Sequence, residues 1–144
     1  MVDQPASKPV YALLLASAQQ DLAACKLLAS SAGIGDAVVG FHAQQSIEKS
    51  LKAVLSAHRI EFRRTHDLIS LLDLLQDHKL PEPPQADWLD ELNPYAVEAR
   101  YGTIDPEGLD RTRALQAAEQ VLDWASHQTQ STNIHSILDN GSLS

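Results

Sequence analysis

The stretch Phe41–Leu55 (FHAQQSIEKSLKAVL) constrains the fold more than any other part of the chain. It holds no Gly or Pro and consists largely of good or tolerable helix formers, so a helix is predicted. At ~100° per residue, Ile47, Leu51, Val54 and Leu55 gather on one arc. Ala43, Ser46, Ser50, Ala53 and Ala57 form a second stripe of small residues beside it. The two stripes cover more than half of the circumference, more than an ordinary surface helix buries. This helix is therefore expected at the centre of the fold, packed on two sides, with the small stripe admitting one neighbour at close range.

The remaining circumference is polar, with Gln45, Glu48, Lys49 and Lys52, and Phe41 among them. Glu48 and Lys52 lie four apart in the favourable order, a helical ion pair worth ~0.2–0.5 kcal/mol. Gln44 projects into the apolar arc near Leu51 and needs a partner for its amide if buried. Two readings stay open for this face. Either it is solvated and Gln44 bonds to a neighbouring helix, or it is a polar cleft or subunit interface, where a Phe among charges finds cover.

A chain of 144 residues supports one domain with a single hydrophobic core. Its lone cysteine, Cys25, cannot form an intrachain disulfide, and it sits in an apolar helical pattern as a small core residue. No basic-then-apolar leader opens the sequence, and no run approaches the ~18 apolar residues of a membrane span. The expectation is a cytoplasmic protein in a reducing compartment. A formal charge of −8 disfavours general nucleic-acid binding. The charge is uneven, however: Lys49, Lys52, Arg59, Arg63 and Arg64 face only Glu61 within residues 49–64, with His58 and His66 beside them. Such a basic corner on an acidic protein can hold a phosphate, or it can be ordinary loop charge.

Residues 1–8 read as a flexible arm. From Tyr11, the positions Leu14, Leu15, Ala18, Leu22, Cys25, Leu28 and Ala29 recur at three- and four-residue spacing and predict a long first helix. Gly33 and Gly35 close it, and Asp36 is a plausible N-cap for the central helix. The short connection predicts antiparallel packing. Thr65 is the natural N-cap of a third helix carrying Leu68, Leu71, Leu72 and Leu75, with His66 and Asp67 in its first turn. A proline-rich connector, 79–85, leads to a short helical piece with Trp88, Leu89 and Leu92. Asn93-Pro94 then reads as cap and first residue of another piece, and Asp105-Pro106 as the same device launching the last helix. That helix should bury Leu115, Ala118, Val121, Leu122 and Ala125, with Trp124 at the edge. A helical bundle over 9–127 and a loose polar tail over 128–144 follow, and no alternating pattern predicts a strand. The fold class is all-α: an antiparallel up-and-down bundle of four to five helices.

Familiar catalytic signatures are absent from the chain: no glycine-rich phosphate loop, His-Glu-x-x-His, nucleophile elbow or Cys-x-x-Cys. The six histidines share no ligand spacing, so neither metal nor cofactor is expected. What remains is a polar constellation of Glu48, Lys52, the 63–66 loop and Arg100-Tyr101. An Arg following Glu98 and Ala99 usually pairs with a carboxylate, and Glu48 is the candidate for an interhelical bridge to Arg100.

These same residues carry a family resemblance. Phe41-His-Ala-Gln-Gln-Ser-Ile-Glu-Lys-Ser-Leu-Lys52, then Thr65-His66-Asp67-Leu68, then Asn93-Pro94-Tyr95-x-x-Glu98-Ala99-Arg100-Tyr101 resembles the HEPN family (higher eukaryotes and prokaryotes nucleotide-binding domain). The three motifs keep their order across residues 10–126. The resemblance implies an antiparallel bundle, usually homodimeric, often encoded beside a minimal nucleotidyltransferase in a toxin–antitoxin-like pair. A nucleotide or RNA ligand would meet the basic corner and the last motif, with Lys52, Arg63, Arg64, His66, Arg100 and Tyr101 as the candidate phosphate-binding residues. Some relatives are metal-independent ribonucleases in which an Arg is followed four to six residues later by a His. Arg100 fits the first position, but residues 101–107 are Tyr, Gly, Thr, Ile, Asp, Pro and Glu. Histidine is the common side chain that exchanges a proton near neutral pH, so its absence argues against strong catalysis. His66, from a different segment, is the candidate substitute. Three readings stand: a nucleotide- or partner-binding protein, a ribonuclease using Arg100 with His66, and a structural dimerisation module.

Overall fold

The computed structural model describes residues 7–97 and 108–142. Among them are five helical elements and no strand: α1 (Val10–Ala29), α2 (Asp36–Ala57), α3 (Leu68–Asp77), a 3-10 segment (Leu89–Ala96) and α4 (Arg111–Ser142). The all-α bundle expected from the periodicity is the fold that forms. Residues 1–6 of the arm expected over 1–8, Arg100, Tyr101 and the Asp105-Pro106 pair lie outside the described residues.

α2 is the hub. It packs against α1, α3, the 3-10 segment and α4, and Ile47, Leu51, Val54 and Leu55 are all fully buried. Burying each such side chain contributes about 1.5–3 kcal/mol. The small stripe works as its residue sizes require. Ala43, Ser46, Ser50 and Ala53 are buried, and Ser46 Oγ donates to the carbonyl of Ala18 on α1 at 2.9 Å. Only a short side chain lets one backbone come this close to another helix. α1 contributes Ala18 and Cys25 as its fully covered residues. The Cys25 thiol contacts the Val39 carbonyl at 3.8 Å; burial first, and the Glu119 charge second, push its pKa up to about 11. It is an inert core residue, as its pattern indicated.

Four local expectations are corrected. Gly35, not Asp36, is the N-cap of α2, and Asp36 is its first helical residue. α3 begins at Leu68, with Asp67 as the cap whose side chain accepts from Ile69 N; Thr65 Oγ1 instead accepts from Asp67 N at 3.0 Å. Asn93-Pro94 opens no new helix, because both lie inside one 3-10 segment. α4 starts at Arg111, where Asp110 Oδ1 accepts from Arg113 N at 3.0 Å as an N-cap does.

α4 buries Ala114, Ala117, Ala118, Val121 and Ala125. Leu115 is half-buried, packed with Trp124 against the core. The alanine face allows α4 to lie close to α2. The helix also runs on to Ser142 through sequence read as tail. Ser126 Oγ and Thr129 Oγ1 donate to the carbonyls of Leu122 and Ser126 within the helix. Hydroxyls that bond back to their own helix satisfy themselves without leaving it.

Candidate functional site

The polar face of α2 is covered rather than solvated. Glu48 is only 5% exposed at its side chain, and Lys52 13%. The buried carboxylate is held from three directions. Lys52 Nζ donates to Oε2 at 3.1 Å, the Gln44 amide donates to Oε1 at 3.2 Å, and His66 Nδ1 lies 2.8 Å from Oε1. Gln44 is fully buried and satisfied: its amide nitrogen also donates to the His66 carbonyl at 2.9 Å, and its oxygen accepts from Gln45 Nε2 at 2.8 Å. A buried charge persists only when paired and hydrogen-bonded in this manner.

The loop 58–67 reaches this cluster because of how α2 ends. Arg59 adopts φ 59°, its N–H donates to Ser56 O at 3.0 Å, and Ile60 N–H donates to Leu55 O at 2.9 Å. This is a Schellman closure with arginine where glycine is usual, and a cation there also suits the negative helix end. Ile60 and Phe62 then pack against the core, and Lys52 Nζ lies 5.7 Å from the Phe62 ring centre. The anchored apolar pair leaves Arg59, Arg63 and Arg64 outward and exposed. None of the three pairs with a carboxylate among the described residues. His66 is 59% exposed. A carboxylate at Nδ1 favours the tautomer with the proton on that nitrogen, which leaves Nε2 as the acceptor.

The end of the loop is fixed from elsewhere. Asn93 Oδ1 accepts from Leu68 N at 2.9 Å, and Asn93 Nδ2 donates to Asp67 Oδ1 at 2.9 Å. Asn93 thus caps α3 from a separate segment, a role that its position before Pro94 hid. Lys49, counted in the basic corner, is taken up by Asp21 of α1 at 2.6 Å, and the same carboxylate lies 3.1 Å from His42 Nδ1. Asp21 carried no sequence signal, because only helix packing places it there. The structure therefore brings Glu48, Lys52 and His66 together, leaves Arg63 and Arg64 at the surface beside them in sequence, and commits Lys52 to Glu48. The Glu48–Arg100 bridge lies outside the described residues. Among those residues no group of three or more His, Cys, Asp or Glu could hold a metal ion, and no helix is long and apolar enough to cross a membrane.

The HEPN domain profile matches residues 11–128. The chain belongs to the HEPN family. Two solved structures share its fold. ST0689, an archaeal HEPN homologue, superposes with a TM-score of 0.61 at 24% identity, covering 85% of this chain and 99% of its own. TT1696 from Thermus thermophilus gives a TM-score of 0.65 at 26% identity, covering 84% and 99%. No curated protein matches the chain. Within the HEPN bundle, the Thr65–Leu68 motif is thus the junction of the loop with α3, locked to α2 and to Asn93, and the α2 motif supplies the buried carboxylate that locks it.

Proposed function

We propose that this HEPN protein binds the phosphates of a nucleotide through the loop 58–67, as partner of a minimal nucleotidyltransferase in a toxin–antitoxin-like pair. It does so as a homodimer without strong catalysis of its own. The observation that carries this reading is the exposed Arg59, Arg63 and Arg64, unpaired among the described residues, on a loop whose base is fixed by Glu48. Guanidinium groups recognise phosphate oxygens in a bidentate manner, and a preorganised loop loses little entropy on binding. A net charge of −8 favours a nucleotide-sized ligand over a long nucleic acid, since the rest of the surface repels a polyanion. Val10, Leu13 and Leu27, exposed on α1, are apolar surface that a second copy would cover.

A ribonuclease is the second reading, favoured by the pairing of His66 Nδ1 with buried Glu48 at 2.8 Å. That pairing orients a ring nitrogen outward, as a general base requires.

One set of measurements separates the two readings. Fluorescent nucleotide and short RNA are titrated in chelator against wild type, Arg63→Gln/Arg64→Gln and His66→Ala. Loss of two charge-assisted contacts at about 1.5–3 kcal/mol each should weaken nucleotide binding by about a hundredfold or more in the double variant. Unchanged affinity would refute the phosphate site. RNA cleavage by wild type that disappears in His66→Ala would establish the ribonuclease instead.

A further inference from the structure

A second surface shares no residue with the loop 58–67. One face of α3, the connector after it and the start of the 3-10 segment line a cavity of about 590 Å³, within the range of ordinary ligand and peptide sites. Its floor is apolar: Ile69, Leu72, Leu75, Leu80 and Pro83 line it, and Ile69 is 45% exposed. Its rim is acidic: Asp73, Glu82, Asp87 and Asp90 line it against the single cation Lys79. All four carboxylates are exposed, and none makes an ion pair or side-chain hydrogen bond among the described residues. The last turn of α3 carries no basic residue, so the negative helix end adds to the same field.

We propose that this groove docks a cationic amphipathic segment of a partner protein, taking its apolar side chains on the floor and its Lys or Arg side chains on the rim. The charge pattern selects the occupant. An apolar floor alone would take any hydrophobic segment, but four unpaired carboxylates around it repel an acidic one and favour a basic one over a neutral one. The backbone of Lys79 is fixed by the helix closure. It sits at φ 57° in the closure of α3, where Leu80 N–H donates to Leu75 O at 2.9 Å. That closure turns the connector back so that Leu80 and Pro83 join the α3 residues in the apolar floor of the groove.

The test uses the full chain, methyl-labelled, and a synthetic helix-forming peptide with Leu at i, i+3, i+4 and i+7 and Arg or Lys on its flanks. Its probes are the methyl signals of Ile69, Leu72 and Leu80. These should shift on titration, and Asp73→Asn/Asp87→Asn/Asp90→Asn should weaken the peptide at least tenfold, while Asp123→Asn on α4 leaves it unchanged. A scrambled peptide of equal composition and the polyamine spermine are the controls. Silent methyls in wild type, equal shifts with either control, or indifference to the triple substitution would overturn the proposal. Methyl shifts that grow with protein concentration alone would assign the groove to a second copy and overturn it as well.

Discussion

A Cβ at Gly40 would stand 2.6 Å from Cγ of the Tyr95 ring. The contact is with the root of the ring rather than a flexible tip, so Tyr95 cannot swing clear. Gly normally weakens a helix by roughly 0.5–1 kcal/mol relative to Ala, yet here it is required. Gly40→Ala is expected to lower stability by about 1–3 kcal/mol, the usual cost of overpacking, and Tyr95→Leu in the same chain should recover part of it. Thermal denaturation decides the point; an unchanged or raised midpoint for the single variant would show that the ring has room to move. Glu48 illustrates the opposite case, a residue whose type and spacing were informative. Its pairing with Lys52 was legible from the i,i+4 order, while its third partner, His66, comes from 18 residues away. Only chain reversal at Arg59 creates that contact.

Among the elements, the helix ends were hardest to read. α2 and α3 both end in the same closure, with Arg59 at φ 59° and Lys79 at φ 57° taking the place of glycine. Neither residue type advertises a left-handed turn. The start of α3 was equally hidden, since its first free N–H is capped by Asn93, 25 residues further on. Asn93→Ala removes that acceptor and the bond to Asp67 together. Loss of a cap costs about 0.5–2 kcal/mol, and the loss should fall on α3 itself. Hydrogen exchange is expected to speed up at Leu68 and Ile69 with little change in α2; equal acceleration throughout would mean that Asn93 supports the whole bundle instead. The alanine face of α4 was also under-read. Periodicity weighted the large residues Leu115 and Leu122, but Ala114 and Ala117 are the fully buried ones, because close helix approach rewards small side chains.

For the molecule as a whole, Arg111 gathers three chain segments at one corner. Its guanidinium donates to the carbonyls of Ala29 at 3.2 Å and Ser31 at 3.1 Å, to that of Ile34, and through Nε to Asp36 Oδ1 at 2.6 Å. The other Asp36 oxygen accepts from the Gly108 and Leu109 N–H groups at 3.1 and 3.2 Å. Desolvation raises the Asp36 pKa, but the Arg111 hydrogen bond and charge and the two backbone donors outweigh it, so the value falls below the ordinary 3.8. A carboxyl depressed in the folded state contributes stability above its unfolded pKa, and the contribution is lost as pH falls through the folded value. His58 acts in the same direction at higher pH, because burial holds its pKa below the ordinary 6.5. Its neutral form is favoured in the fold, so stability drops as pH falls below about 6.5. Thermal midpoints should therefore decline in two acid steps, one starting below about pH 6.5 and one below about pH 4. His58→Gln should remove the first. Asp36→Asn should remove the second while lowering the midpoint at neutral pH. Parallel curves for wild type and Asp36→Asn down to low pH would contradict the linkage.

By itself, the sequence determined the helical class, the central place of α2, its two buried stripes, the inert Cys25 and the motifs that mark a HEPN chain. These depend on periodicity and side-chain size, properties that act over a few residues and survive in a string of letters. Only tertiary structure decided that Asp21 takes up Lys49, that Asn93 caps α3, that Asp36 serves Arg111 rather than its own helix, and that Glu48 fixes His66. Each of those links joins residues 18 to 75 positions apart. Polar side chains choose partners by distance in space, within about 3 Å, and local pattern carries no record of which helices will meet there.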